Sequence, residues 1–395
     1  MSIKIYHQCG HNSTWNVDSY EKEKCGDGLI LSPVHQNISK IEELKEKIKR
    51  SSIFDPQFYL PNSQKRKLKT YPFFPETIST GNFSTSEFSL VALEAARQCL
   101  DFQAAQDFEK IVIPARYFEQ MVPDFTEKQD IYTVHPFLKA YDEMGLGAPI
   151  YLTVPITSHM VSNKKYREML LNWITSFIEI EGIYLIVANE GETKQISSES
   201  LIGNYFEFLF DLKNADLELI LGYTNTESLL FCLIDDIAVT MGSFENTRMF
   251  SIDKFIVSED VRRGPKPRIY IPKLFNWVQY GQAKDIKDND PDLWEEIYRP
   301  TEYGDIAMDA TIEPHFGSPS LYKHHFICMN EQIKELSLLP VEERYKLLRA
   351  NIKKAMEYYK LIEDIPYDME RHGNGDHLQP WLDSINIYFR NHLKN

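Results

Sequence analysis

The feature that most constrains this chain is a rhythm. Short runs rich in Ile, Val, Tyr and Phe recur along it, each followed by a charged segment of helical period. An apolar run suits a strand buried on both faces, and the helical segment supplies the crossover to the next parallel strand, so the alternation predicts βαβ units around a parallel sheet. Strands are expected at 28–34, 52–59, 110–114, 149–156, 182–188, 217–223 and 237–241. Helices are expected at 38–50, with Ile41, Leu44 and Ile48 on one face and Ser39 as cap, and at 86–105, 164–179, 199–212 and 227–233. Seven or eight such units make an α/β fold, a TIM-like (β/α)8 barrel with inserted loops and a helical C-terminal extension. The chain then divides into an N-terminal segment (1–27), the barrel (28–280), an acidic irregular insertion (281–319) and a helical C-terminal region (320–395).

Composition narrows the function classes. With 395 residues, 43% of them hydrophobic and 13% aromatic, the chain holds a barrel of about 250 residues plus extensions and is not disordered. Its 58 acidic residues against 43 Lys and Arg leave a formal charge of −15, which repels polyanions and argues against a general nucleic-acid coat. Two basic runs can override that field locally, because salt screens charges beyond roughly 8 to 10 Å: Lys65, Arg66, Lys67 and Lys69, then Arg262, Arg263, Lys266 and Arg268. Such runs also serve simply as solvated loops. Five scattered cysteines without a Cys-x-x-Cys pair fit a reducing compartment. With neither a signal pattern nor an apolar stretch of about 18 residues, a cytoplasmic protein without membrane partners is expected.

In barrels the chemistry gathers where strands end at the C-terminal mouth. Asp55 and Glu245 end separate strands there and can divide the work of attacking or stabilising positive charge and of handling protons, with Glu190 as a third carboxylate. Asp55 and Glu245 each have a structural alternative: Asp55 capping a turn before Pro56, Glu245 in a surface loop. The same strand ends offer His35, Gln57, Arg116, Thr157, Ser158, His159, Asn189 and Tyr223 as substrate contacts, with Arg248 following Glu245. No zinc spacing and no glycine loop for phosphate is present, so no cofactor and no metal is expected.

The order of these segments resembles the tRNA-guanine transglycosylase superfamily, zinc-containing barrels that exchange a guanine base at an N-glycosidic bond. Ile53-Phe54-Asp55-Pro56-Gln57-Phe58 resembles its strand ending in Asp-Ser-Gly-Gly-Phe, and Ile111 to Pro114 the strand that follows. Val154-Pro155-Ile156 with Tyr166-Arg167-Glu168, and Leu221-Gly222-Tyr223, resemble later segments. Met241-Gly242-Ser243-Phe244-Glu245-Asn246 resembles the Asp-Ser-Phe-Asp segment that carries the nucleophile, and His325 to Lys334 a late His-containing helix. The resemblance, spanning roughly residues 28 to 360, implies Glu245 as nucleophile and Asp55 as the base-facing carboxylate. Residues 269–280 hold Pro272, Phe275 and Trp277 where the family has zinc-binding cysteines, and Thr157-Ser158 replaces its base-reading Gln-Gly pair.

Three readings follow. The leading one is a divergent transglycosylase-like enzyme, a pentosyltransferase or N-glycosidase, acting through a carboxylate nucleophile on a base in tRNA, DNA or a nucleoside. Another is a catalytically inactive barrel recognising nucleic acid or a protein partner, with aromatics between Lys65 and Phe74 stacking on unpaired bases. The remaining one is an unrelated TIM-barrel enzyme acting on a small molecule.

Overall fold

The computed structural model describes residues 3–79, 85–189, 195–258, 264–363, 369–370 and 372–394, with backbone alone at 85–88. Eight parallel strands form one sheet in the order β3-β2-β1-β8-β7-β6-β5-β4. They are β1 (Lys4–Gln8), β2 (Gly28–Leu31), β3 (Ile53–Phe54), β4 (Ile111–Ile113), β5 (Ile150–Thr157), β6 (Gly182–Ala188), β7 (Glu218–Gly222) and β8 (Ile237–Gly242). A parallel bridge between Ile53 and Lys110 brings the two sheet edges together, and the strands alternate with helices as in a TIM-like (β/α)8 barrel. Outside it lie α1 (Thr14–Glu21), α2 (Ile38–Glu42), α3 (Glu46–Arg50), α4 (Thr85–Ala105), α5 (His135–Met144), α6 (Lys164–Ile174), α7 (Glu199–Asn214), α8 (Ser228–Phe231) and α9 (Glu245–Arg248).

The interior is filled by matching large residues to small ones on neighbouring strands. Tyr151 of β5 lies opposite Gly182 of β6, and a Cβ on that glycine would overlap the tyrosine ring. Gly222 of β7 makes room in the same way for Tyr184. Both tyrosines are fully buried, so the barrel is a packed core and not a pore. The N-terminal face is closed by charge: Lys4 pairs with Glu109 at 2.6 Å, Tyr6 donates to the same carboxylate at 2.6 Å, and Lys110 pairs with Glu218 at 3.3 Å.

Several boundaries differ from the sequence reading. The barrel begins at β1, inside the segment 1–27, and β1 occupies the place between β2 and β8. The region 52–59 supplies only two strand residues before the chain turns at Asp55. The single helix expected over 38–50 is α2 and α3, separated at residues 43–45. Beyond β8 an antiparallel hairpin, β9 (Arg268–Ile271) and β10 (Asn276–Gln279), stands apart from the barrel sheet. The stretch expected to be irregular, 281–319, is mostly α10 (Tyr280–Asn289), α11 (Pro291–Ile297) and α12 (Glu302–Met308), started by the side-chain caps Asp290 and Thr301 at α11 and α12. The C-terminal helices are present as α13 (Pro319–Ser337), α14 (Val341–Glu363) and α15 (Leu378–Tyr388). Buried Arg344 of α14 ties this layer to the barrel, donating to Leu336 and Leu339 carbonyls, to the Cys232 carbonyl at 3.2 Å and to Asp235 at 2.8 Å. Among the described residues no helix is long and apolar enough to cross a membrane.

Candidate active site at the barrel mouth

The mouth holds two distinct arrangements. The first lies on the barrel axis around Asp55, which directly follows β3 and is fully buried. Its Oδ1 accepts the backbone N–H of Gln57 at 3.1 Å, an Asx turn that holds Gln57 at a φ of 59°. The turn-capping role weighed for Asp55 is thus real. The Tyr59 hydroxyl lies 2.9 Å from both carboxyl oxygens. Burial outweighs these bonds and pushes the Asp55 pKa up to about 7. Gln57 is itself a brace: its amide accepts from Val34 N–H at 2.9 Å and donates to Ser32 Oγ and to the Tyr223 hydroxyl, both at 3.1 Å.

Above this cluster sits Lys254, a residue the sequence reading passed over. Its ammonium lies 3.7 Å from the centroid of the Tyr223 ring, with Phe255 at 5.4 Å and Phe250 at 5.7 Å. Burial lowers its pKa to about 7, against the attraction of Asp55, and Lys254 in turn favours the ionised form of Asp55. The two groups therefore titrate as a pair near neutrality. His35 stands nearby with its Nε2 buried and unpartnered, and burial together with Lys254 and Lys67 lowers its pKa to about 3, so it is a neutral imidazole.

The second arrangement is built by the end of β8. Gly242 ends that strand where a side chain would overlap Thr247, and Gly10 after β1 faces the same threonine. The two glycines let α9 dock directly on the strand ends, so that Glu245 and Arg248 fall on the wall of one recess. This recess, about 330 Å³, is also lined by His11, Phe244, Lys266, Arg268, Trp277 and Tyr322. Arg248 is buried, stacks on Trp277 at 3.9 Å and donates from Nη1 to Asn225 Oδ1 at 3.1 Å. Glu245 favours the charged forms of both Arg248 and Arg268, while burial opposes them and brings Arg248 down to about 10. Arg268 is further held by an ion pair to Glu370. Behind Arg248, fully enclosed Glu227 accepts Asn225 N–H at 2.8 Å, and burial raises its pKa to about 7.

The anticipated site residues thus separate. Glu245, Arg248, Lys266 and Arg268 share the recess, whereas Asp55 does not line it. Asp55, Gln57, Tyr223 and His35 belong to the axial cluster. Asn189 lines a wider cleft of about 690 Å³ with Tyr117, Phe250 and Ser251. Arg116 lies 5.5 Å from the Tyr132 ring and 5.6 Å from Phe118. Thr157 is buried and caps the following helical turn through Met160 N–H, with Ser158 beside it in that turn, and His159 is exposed against Tyr166. Glu190, Arg262 and Arg263 lie outside the described residues. In the other basic run Lys67 donates to the His35 carbonyl at 2.6 Å and Lys69 to Gln64, while Arg66 is exposed and Lys65 partly so. The aromatics beside it, Tyr71, Phe73 and Phe74, are each 1% exposed and pack onto the barrel, so they present no face for stacking bases. Their burial corrects the stacking role weighed for them.

Sequence reasoning could have found Lys254, a lone cation among Phe250, Ile252, Phe255 and Ile256. Trp277 and Tyr322 had no signal, since they come from β10 and α13 and reach the recess only through the fold. No protein-family model matches the chain, and no curated protein matches it.

Proposed function

We propose that the recess beside Glu245 is the catalytic site and that the protein acts on the N-glycosidic bond of a nucleoside or nucleotide, as a glycosidase or base-exchange enzyme. The observation that carries this reading is the placement of one carboxylate, at the C-terminal end of a barrel strand, among Trp277, Phe244 and Tyr322 and next to Arg248. Aromatic walls suit a planar base, and a carboxylate beside them suits the anomeric carbon. A Glu245 oxygen bonds to that carbon as the carbon–nitrogen bond breaks, and the released electron pair goes to the base nitrogen, which takes up a proton. His11, on the same wall, is the group assigned to deliver it. Water or an incoming base then displaces the carboxylate and restores it.

The axial Asp55 is not part of this step, in contrast to the role that the family resemblance implied for it. The test is base release, read by mass spectrometry, from nucleosides, nucleotides, tRNA and DNA. Glu245→Gln should lower turnover by at least about a hundredfold while the fold and ligand binding persist. Undiminished release by that variant would sink the assignment.

A further inference from the structure

The recess holds an unmet demand for hydrogen-bond acceptors. Arg248 is 5% exposed and Trp277 3% exposed, yet the Nε of Arg248 and the indole Nε1 of Trp277 are both buried without a partner. Buried donors are almost always satisfied, and two orphans on neighbouring residues of one recess wall point to an absent acceptor there. The other cations there are unequally committed. Arg268 is paired to Glu370 and donates to the Trp277 carbonyl, while Lys266 is exposed at the rim. A single ligand group with several acceptor oxygens and negative charge would meet the Arg248 and Trp277 donors and draw in Lys266.

The volume limits what that group is attached to. At about 330 Å³ the recess lies at the small end of the range of roughly 300 to 1,000 Å³ for small-molecule sites. A net charge of −15 disfavours a long polyanion approaching this molecule. Resting on the base-binding role proposed above, we infer that the ligand is a free nucleoside monophosphate, its phosphate held by Arg248, the Trp277 indole N–H and Lys266 and its base against the aromatic walls. The substrate is then a mononucleotide and not a base within tRNA or DNA.

Calorimetry would compare a nucleoside 5′-monophosphate, the matching nucleoside, inorganic phosphate, a 5′-phosphorylated oligonucleotide and tRNA. The monophosphate should bind at least about tenfold more tightly than the nucleoside, and the two polymers more weakly than the monophosphate. Trp277→Phe, which keeps an aromatic ring and loses the N–H, should remove most of that preference, read as the ratio of monophosphate to nucleoside affinity in the same variant. Lys266→Ala, at an exposed position that the fold does not need, should weaken the monophosphate severalfold. Equal affinity for nucleoside and monophosphate, a preference untouched in both variants, or tighter binding of the oligonucleotide or tRNA would overturn the inference. Phosphate-dependent binding without base release would uphold this subsite and reject the glycosidic chemistry. Base release that ignores the phosphate would do the reverse.

Discussion

The Lys254 ammonium stands 3.7 Å from the centre of the Tyr223 ring, and the hydroxyl of that tyrosine is held by Gln57, which Asp55 positions through its turn. A cation over an aromatic face at the barrel mouth keeps some of the stabilisation it loses with its water. Further compensation comes from Asp55 and from the Asn246 carbonyl, to which the ammonium donates at 3.4 Å.

Removing either member of that pair should move the other in a known direction. Asp55 supports the charged form of Lys254, so Asp55→Asn should lower the Lys254 pKa below about 7. Lys254→Met should raise that of Asp55 above about 7. Stability follows. The Asp55 pKa is raised on folding, so its contribution is complete below the unfolded value near 4 and is lost as pH rises to about 7. The Lys254 pKa is depressed, so its contribution is complete above roughly 10.5 and is lost as pH falls to about 7. The wild-type protein should therefore show a dip in unfolding free energy near pH 7, on the order of a few kcal/mol. Urea titrations from pH 5 to 9.5 would reveal it, and a double variant Asp55→Asn, Lys254→Met that kept the dip would assign it elsewhere.

Two glycine substitutions should act in opposite directions. A Cβ on Gly28 in β2 would overlap the Ser51 backbone carbonyl, which cannot swing away as a side chain does. Gly28→Ala should cost roughly 3 kcal/mol or more, because the strand must shift away from the turn that leads to β3. Gly203 in α7 meets nothing within 4 Å, so Gly203→Ala should add about 0.5 to 1 kcal/mol through helix propensity. Chemical denaturation of the two variants would check both signs.

Arg344 offers a test of how firmly the C-terminal helices are joined to the barrel. Its guanidinium serves three carbonyls and the Asp235 carboxylate, and replacing it with Met removes that donor from all four, with Leu336 keeping a second one, the Leu339 N–H at 3.0 Å. The expected loss is about 3 kcal/mol, with α14 and α15 becoming open to hydrogen exchange before the barrel strands. Simultaneous exchange of both regions at wild-type rates would show that the arginine is not the tie.

Strands β5 to β8 were legible because each is a mainly apolar run with both faces covered over nearly its whole length, so the apolar signal is close to continuous. Strand β1 was not. Its five residues, Lys-Ile-Tyr-His-Gln, carry polar groups whose partners come from distant segments: His7 contacts Asn16 and the Cys25 carbonyl, and Gln8 accepts from Tyr184. Only the fold brings those partners together, and periodicity cannot anticipate it. The strand-end rule led to Glu245 and Asp55 but could not tell that one lines an open recess and the other is sealed. It also missed Lys254, which sits on the segment after α9 and not at a strand end.

The position of β1 bears on how the molecule is made. Its register partners in β8 run from Ala238 to Gly242, so the ribosome delivers the first strand long before the neighbour that completes its hydrogen bonding. Until then a growing chain can pair β1 only with β2, leaving one edge of the nascent sheet open to other chains. A chaperone or a transient fold of the chain that covered that edge during translation would guard the junction on which α9 later sets down Glu245.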